Sequence, residues 1–379
     1  MSDRASEHRA RNERGAERVG DSASEHRARN ERGAQRAGEQ TSGEPITVLC
    51  ITGWCRNGST IIGNVLNEAD GFFHVGEIHF LWKNSAGRGV NRLCGCGAVL
   101  TDCPVWADIL PVDRPAGQTP EQHADVVIGR QRAYARTRHT WRIMRHGLNS
   151  AGIREHAQLM SRTYRAVADR TGARVIVDTT KIPGEAALLQ HVAGIRPVYV
   201  HLVRDPVAVA DSWRTPKDYV YVMSASKSTL YWRGFNIASR AILRRYPAQS
   251  MLLRYEDFIA DPAGAIADLI RLAGADPAGN PVTGHTVQLH TNHTVTGNPD
   301  RFRTGETVIR GSDDRWRTSL GKPARLAAML LSWPMSWRYG YRHPGGLLGR
   351  PSPERGPAPN PQPAAGTPQR EDGTVGSGS

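Results

Sequence analysis

Long apolar runs are missing from this 379-residue sequence. No stretch reaches the roughly 18 residues that a membrane-spanning helix needs. The opening MSDRASEHRA is charged from its third residue and carries no secretory leader pattern. A soluble, non-secreted protein is therefore expected. Cysteine is also sparse, with five in the chain. That excludes a disulfide scaffold and makes a reducing cytoplasm the default compartment. Negative charge is in deficit: 36 acidic against 49 basic residues leave a formal charge of +13. A balance of that sign suits a polyanionic partner or substrate, whether nucleic acid, membrane surface or phosphorylated small molecule.

The hydrophobic fraction of 39% is low because both ends are polar. Residues 1–44 hold an internal repeat, ASEHRARNERGA, at Ala5–Ala16 and again at Ala23–Ala34. Its Arg and Glu balance each other, and it has too little apolar surface to build a core, so a disordered or transiently helical arm is expected. Residues 343–379 are dominated by Pro, Gly and Ser and read as a disordered tail. Between them lies one expected domain, 45–342, of about 300 residues, long enough to bury a sizeable core.

The most informative stretch is ITVLCITGWCRNGSTIIGNVLNE, residues 46–68. Ile46–Thr52 is short, apolar and rich in β-branched residues, as in a buried strand. Thr60–Glu68 has helical spacing, with Ile61, Ile62, Val65 and Leu66 on one face. The strand, glycine loop and helix together point backbone N–H groups and a helix N-terminus at an anion. Against the nucleotide-binding pattern G-x-x-x-x-G-K-[ST], the run Gly53-Trp54-Cys55-Arg56-Asn57-Gly58-Ser59-Thr60 has Ser59 in place of the phosphate-binding lysine. Positive charge sits instead at Arg56, whose forked donors suit a multi-oxygen anion. An ordinary strand-to-helix turn that needs glycine for its geometry is the plainer alternative.

Further strands are expected at Arg174–Asp178, Val198–Val203 and Met251–Arg254, and helices at Glu185–Val192, Val207–Trp213 and 226–246. Residues 111–172 read as mostly helical, and Ala324–Tyr341 as a closing helix packed on the sheet. Alternating strands and helices predict an α/β fold with a parallel sheet, which binds ligands at the carboxyl ends of its strands. The same rule gathers the loop at 53–60 with Lys181 and Arg204, each just after a strand, into one polyanion site.

Glu77 in HVGE follows the first helix among apolar neighbours; a satisfied structural carboxylate or a general base both fit. Cys94, Cys96 and Cys103 have a C-x-C-x6-C spacing that would bind zinc if a histidine such as His74 or His79 joined them. Paired C-x-x-C knuckles are missing, so a glycine-rich loop with thiols or one disulfide is the expectation, with no metal.

Arg56–Thr60 (RNGST) and Arg204–Trp213 (RDPVAVADSW) together resemble the 5′-phosphosulfate and 3′-phosphate motifs of sulfotransferases that use 3′-phosphoadenosine 5′-phosphosulfate (PAPS). VDTTK, YEDF and GNPDRFR are similar to segments of bacterial members, and the likeness spans roughly residues 46–341. It implies a P-loop-NTPase-like parallel sheet flanked by helices, and metal-independent transfer of a sulfuryl group to a hydroxyl or amine of a small-molecule acceptor. By that resemblance Arg56, Asn57, Gly58, Ser59 and Thr60 hold the 5′ end of PAPS, and Arg204 and Ser212 hold its 3′-phosphate. Arg301 and Arg303 close over it. Lys181 serves the bridging oxygen, although Thr179 and Thr180 replace the lysine and serine common before it. Glu77 takes the role of general base, with His79 and then His74 as rivals. The segments 80–150 and 214–228 are expected to form the acceptor pocket. A small-molecule kinase is disfavoured by the missing lysine and the lack of a Mg-binding pair. A basic nucleic-acid-binding protein is disfavoured because the charge is scattered.

Overall fold

The structure, a computed structural model, describes residues 45–215, 221–310 and 316–342. The repeated arm at 1–44 and the tail at 343–379 lie outside the described residues, as does part of the expected acceptor segment, 216–220.

Strand β1 (Ile46–Thr52) has the bounds its β-branched run predicts, and every residue in it is buried. Its side chains alternate. Val48 and Cys50 enter one core cluster, and Leu49 and Ile51 enter the other, on the opposite face. A strand apolar on both faces belongs inside a parallel sheet covered by helices on each side. Helix α1 (Ser59–Leu66) follows β1 and buries Ile62, Val65 and Leu66. Next comes β2 (Phe72–Gly76), a fully buried strand not among those expected from the sequence.

Helices α2 (Pro120–Tyr134) and α3 (Ala151–Thr171) supply the mostly helical segment. A capping box at Thr119 and Gln122 starts α2, and Gly172, in left-handed conformation, ends α3. Strand β3 runs over Val175–Lys181, beyond the expected end at Asp178, so VDTTK is itself strand. After α4 (Pro183–Leu189), β4 (Ile195–Val203) leads into α5 (Pro206–Arg214). Helix α6 (Ala225–Arg245), β5 (Ser250–Arg254) and α7 (Pro262–Leu272) complete the α/β part. The five strands pair in the order β2-β3-β1-β4-β5, all parallel. The expected fold class, a P-loop-like parallel sheet flanked by helices, is what the chain adopts.

Two features depart from expectation. A small antiparallel sheet, β6 (Val282–Thr283), β7 (Thr286–Leu289) and β8 (Gly305–Val308), is formed where the sequence shows no strand pattern. The closing helix is two pieces: α8 (Lys322–Ser332), then a short turn at Met335–Arg338 beyond Pro334, which cannot continue the helical hydrogen bonds. Helix α8 packs on α5 and α6, not directly on the sheet. Among the described residues no helix is long and apolar enough to cross a membrane.

Candidate active site

The carboxyl ends of β1, β3 and β4 open on one cavity of about 1020 Å³. Its floor is the loop between β1 and α1. Gly58 caps α1 at φ 92°, and a Cβ there would lie 2.3 Å from the Tyr255 ring. Only glycine satisfies both demands. Asn57, which is buried, turns inward: its Nδ2 donates to the Leu202 carbonyl in β4 (3.0 Å), and its Oδ1 accepts from the Ser59 N–H (3.3 Å). The Asn57 side chain therefore ties the loop to the sheet and leaves anion contact to the backbone.

Among the described residues, two that are not glycine have a left-handed φ: Arg56 at 71° and Lys181 at 70°. That conformation is sterically costly for such side chains and concentrates at functional sites. Both residues line the cavity, from adjacent strand ends. Lys181 is 5% exposed. Its Nζ donates to Glu77 Oε1 (2.6 Å), to the Thr179 carbonyl (2.7 Å) and toward Ser59 Oγ (3.4 Å). Burial opposes its charge, but the Glu77 carboxylate outweighs burial and, with Cys55, holds the ammonium above its ordinary pKa. Ser59 fills the sequence position of the missing phosphate-binding lysine, and Lys181 reaches that serine from the neighbouring strand.

Arg204 leaves the end of β4. Its Nη1 donates to the Arg56 carbonyl (3.1 Å), and its guanidinium lies 4.6 Å over the Tyr255 ring. Asp205 caps α5 by accepting from the Val207 N–H (2.7 Å), and Trp232 Nε1 holds the Arg204 carbonyl (3.0 Å), which fixes the turn that aims this side chain. Ser212, two turns into α5, faces the same cavity. Arg56 in turn lies 5.3 Å over Trp213. Tyr255 and Trp213 were not singled out from sequence; their signal was an aromatic at the end of a strand and another beside Ser212.

Glu77 lines the cavity, and neither histidine rival does. His74 is buried between Asn64 Oδ1 and Thr179 Oγ1 (3.2 Å each), and burial pushes its pKa down to about 3. His79 Nδ1 is 2.6 Å from Glu185 Oε2. Burial opposes the charge of each partner, yet their pairing raises His79, and with His156 it lowers Glu185 to about 2.

Arg56, Gly58, Ser59, Thr60, Glu77, Lys181, Arg204 and Ser212 thus share one cavity, while Arg301 and Arg303 stand outside it. Arg301 is buried in the wall, donating to the Thr294 carbonyl (3.2 Å), and Arg303 pairs at the surface with Asp300 (3.7 Å). Of the expected acceptor segments, residues between Phe80 and Asn91 line the cavity, as do Thr215 and Tyr221, and 92–150 do not. The thiols of Cys94, Cys96 and Cys103 come together without a disulfide, and the histidine beside them is His293, not His74 or His79.

Residues 49–277 match the model of a family described as the sulfotransferase family. Similar solved structures include the sulfotransferase domain of the olefin synthase of Synechococcus PCC 7002: 18% identity, 81% of this chain and 99% of that chain covered, TM-score 0.45. A second is the sulfotransferase domain from the curacin biosynthetic pathway: 16% identity, 79% and 99% covered, TM-score 0.45. No curated protein matches the chain.

Proposed function

The chain belongs to the sulfotransferase family, and from that premise we propose that it transfers a sulfuryl group from PAPS to a hydroxyl or amine of a small-molecule acceptor. The observation that carries this reading is convergence. Arg56, Lys181 and Arg204 come from the ends of three neighbouring strands and meet Glu77 in one cavity. Three cations gathered at the carboxyl edge of a sheet suit a donor with phosphate at both ends. The loop also fits such a donor: Gly58, where a Cβ would meet the Tyr255 ring, lets the chain turn, and the N-terminus of α1 opens on the cavity where an anion would sit.

In this mechanism the N–H groups of residues 57–60 and Arg56 hold the 5′-phosphosulfate. Arg204 and Ser212 bind the 3′-phosphate, a group ATP does not have. The acceptor oxygen attacks sulfur in line and forms a new S–O bond. The bond from sulfur to the bridging oxygen breaks, and its electron pair leaves with 3′-phosphoadenosine 5′-phosphate (PAP). Lys181, charged throughout the neutral range, donates a hydrogen bond where that negative charge develops. Glu77 takes the acceptor's proton as attack begins. Phe80, Lys83 and Tyr221 line the same cavity and come from the two segments assigned to the acceptor in this reading.

Calorimetric titration with PAP tests the donor, and labelled PAPS with a metabolite extract tests the transfer. Wild-type protein should bind PAP and label a product. Arg204→Ala should weaken PAP binding about 10- to 100-fold, the worth of roughly 1.5–3 kcal/mol for hydrogen bonds to a charged group. Wild-type protein that neither binds PAP nor labels a product defeats the proposal. Undiminished PAP affinity in Arg204→Ala defeats the 3′-phosphate assignment.

A further inference from the structure

Away from the cavity, Cys94, Cys96, Cys103 and His293 bring one ligand atom each to within 4.8 Å of one another. Cys94 Sγ to Cys103 Sγ is 3.4 Å, and Cys96 Sγ to Cys103 Sγ is 3.9 Å. His293 Nδ1 is 3.8 Å from Cys94 Sγ and 3.3 Å from Cys103 Sγ. A tetrahedral zinc with Zn–S of about 2.3 Å and Zn–N of about 2.0–2.1 Å needs edges near 3.8 Å for S···S and near 3.6 Å for S···N. The separations bracket those edges, and a disulfide, at about 2.05 Å, is far shorter.

The backbone around the cluster is built to hold it. Residues 94–97 form a tight turn in which Cys94 N–H donates to the Ala98 carbonyl and Gly97 N–H to the Cys94 carbonyl, closed by a Leu93–Val99 bridge. A Cβ at Gly95 would lie 2.1 Å from Asn292 Oδ1, so the turn sits directly on the His293 loop. Gly95 N–H also donates to the Thr294 carbonyl (2.9 Å), and Trp106 Nε1 to the His293 carbonyl (2.6 Å). Cys94, Cys103 and His293 are buried, and Cys96 is half-buried. Three thiolates around a dication leave one net negative charge, and the buried Arg301 guanidinium is bonded to the carbonyl of Thr294, the residue next to His293. Its burial in the wall, unexpected for a phosphate ligand, suits a counter-ion.

We propose that Cys94, Cys96, Cys103 and His293 bind one zinc ion in a closed, four-coordinate structural site. Four protein ligands leave no position for water or substrate, so the ion takes no part in transfer. Its effect is mechanical. The site staples the turn at 94–103 to the loop at 292–301. That loop is pinned in turn by Asn292 Nδ2 to the Arg301 carbonyl (2.7 Å) and by Asn64 Nδ2, in α1, to the Asp300 carbonyl (3.1 Å). Thr296, Gly297, Asn298 and Asp300 line the active-site cavity, so the staple sets the position of one wall. The inference replaces the sequence expectation of a chain without metal, which rested on missing paired knuckles. It does not depend on the donor or the acceptor.

The test is elemental analysis of the full chain, expressed with zinc in the medium and purified under thiol reductant. About one zinc per chain is expected. Cobalt exchanged into the wild type should give a thiolate-to-cobalt charge-transfer band and tetrahedral d–d absorption. Cys96→Ala, at the half-buried corner, and Cys103→Ser should lose the metal, while Cys55→Ser keeps it. Stripping the metal with a chelator should raise hydrogen exchange over residues 292–301. Metal-free wild type, iron in place of zinc, a mass two hydrogens lighter from a Cys94–Cys103 disulfide, or full zinc retention in both ligand variants would each overturn the proposal. Stoichiometry and the cobalt spectrum of the wild type decide the matter even where a variant fails to fold.

Discussion

Replacing Glu77 by glutamine separates the structural duty its carboxylate has in this site from the chemical duty proposed for it. One is structural: Glu77 Oε1 accepts a 2.6 Å hydrogen bond from Lys181, whose side chain is 5% exposed. Leaving that ammonium without its counter-ion, as Glu77→Ala would, costs up to about 3–5 kcal/mol by the usual penalty for breaking a buried pair, softened by the Thr179 carbonyl that still accepts from it. Glutamine keeps an oxygen acceptor at the same reach and limits this loss. The other duty is chemical, and glutamine cannot accept the acceptor's proton. General-base catalysis contributes about 10²- to 10⁴-fold, or roughly 2.7–5.5 kcal/mol of barrier. Glu77→Gln should therefore fold, bind PAP within about threefold of the wild type, and transfer label from PAPS at least about 100-fold more slowly. Initial rates on one metabolite extract give the comparison, with PAP calorimetry as the binding control. His79→Asn is the counter-experiment: its imidazole is committed to Glu185 away from the cavity, so transfer should persist. Wild-type rates in Glu77→Gln, with transfer abolished in His79→Asn, would refute the reasoning and move the base to the histidine.

Three further outcomes follow from the geometry. Gly58→Ala places a methyl 2.3 Å from the Tyr255 ring at a φ of 92°, so PAP binding should vanish in calorimetry; retained affinity would mean that the loop is not the cradle. Asn57→Ala removes the buried bond to Leu202 and should lower unfolding free energy by about 1–3 kcal/mol, with weaker PAP binding; a neutral effect on both would show that the loop holds its shape without this tie. Acid should destabilise the fold. Burial keeps His74 and His201 neutral in the folded protein, at about 3 and about 4, so below the ordinary imidazole range the unfolded state takes up two more protons. Burial also pushes Asp178 up to about 6, which returns one proton to the folded side. Glu185, held down to about 2, adds to uptake by the unfolded state near the ordinary carboxyl range, so the balance is about one proton or more and stability falls by on the order of 1 kcal/mol per pH unit between roughly pH 6 and 4. Guanidine unfolding at pH 7 and pH 5 measures it, and equal or greater stability at pH 5 would contradict the assignment.

What could be read from the sequence follows from how far apart the interacting residues lie. Strand β1 was legible to the residue because its apolar run is buried on both faces and ends at a glycine turn. The order of strands and helices, and the expectation that Arg56, Lys181 and Arg204 meet, needed only the rule that a parallel sheet presents its carboxyl ends together. Strand β2 was not legible as a strand, since five residues of FFHVG have no alternation to declare it. Nor was the small sheet, whose strands are two to four residues long. Arg301 and Arg303, expected at the cofactor only through the resemblance, lie in the cavity wall and at the surface, a placement that depends on the fold of the 292–303 loop and not on any local pattern.

The missing lysine of the loop shows why some chemistry is visible only in three dimensions. Position 59 is serine, and sequence alone moves the positive charge to Arg56. In the fold, β3 lies beside β1, and Thr52 pairs with Lys181 across a register shift. That shift and the left-handed φ at 181 turn the lysine over the loop, 122 residues away in sequence, with its Nζ 3.4 Å from Ser59 Oγ. An ammonium delivered from the neighbouring strand is positioned by that strand's end and not by the loop. Here it sits between the loop and Glu77, bonded to the carboxylate and in reach of the serine. Under the proposed transfer, its place on β3 would put one cation between the carboxylate that takes a proton and the oxygen that takes the electron pair.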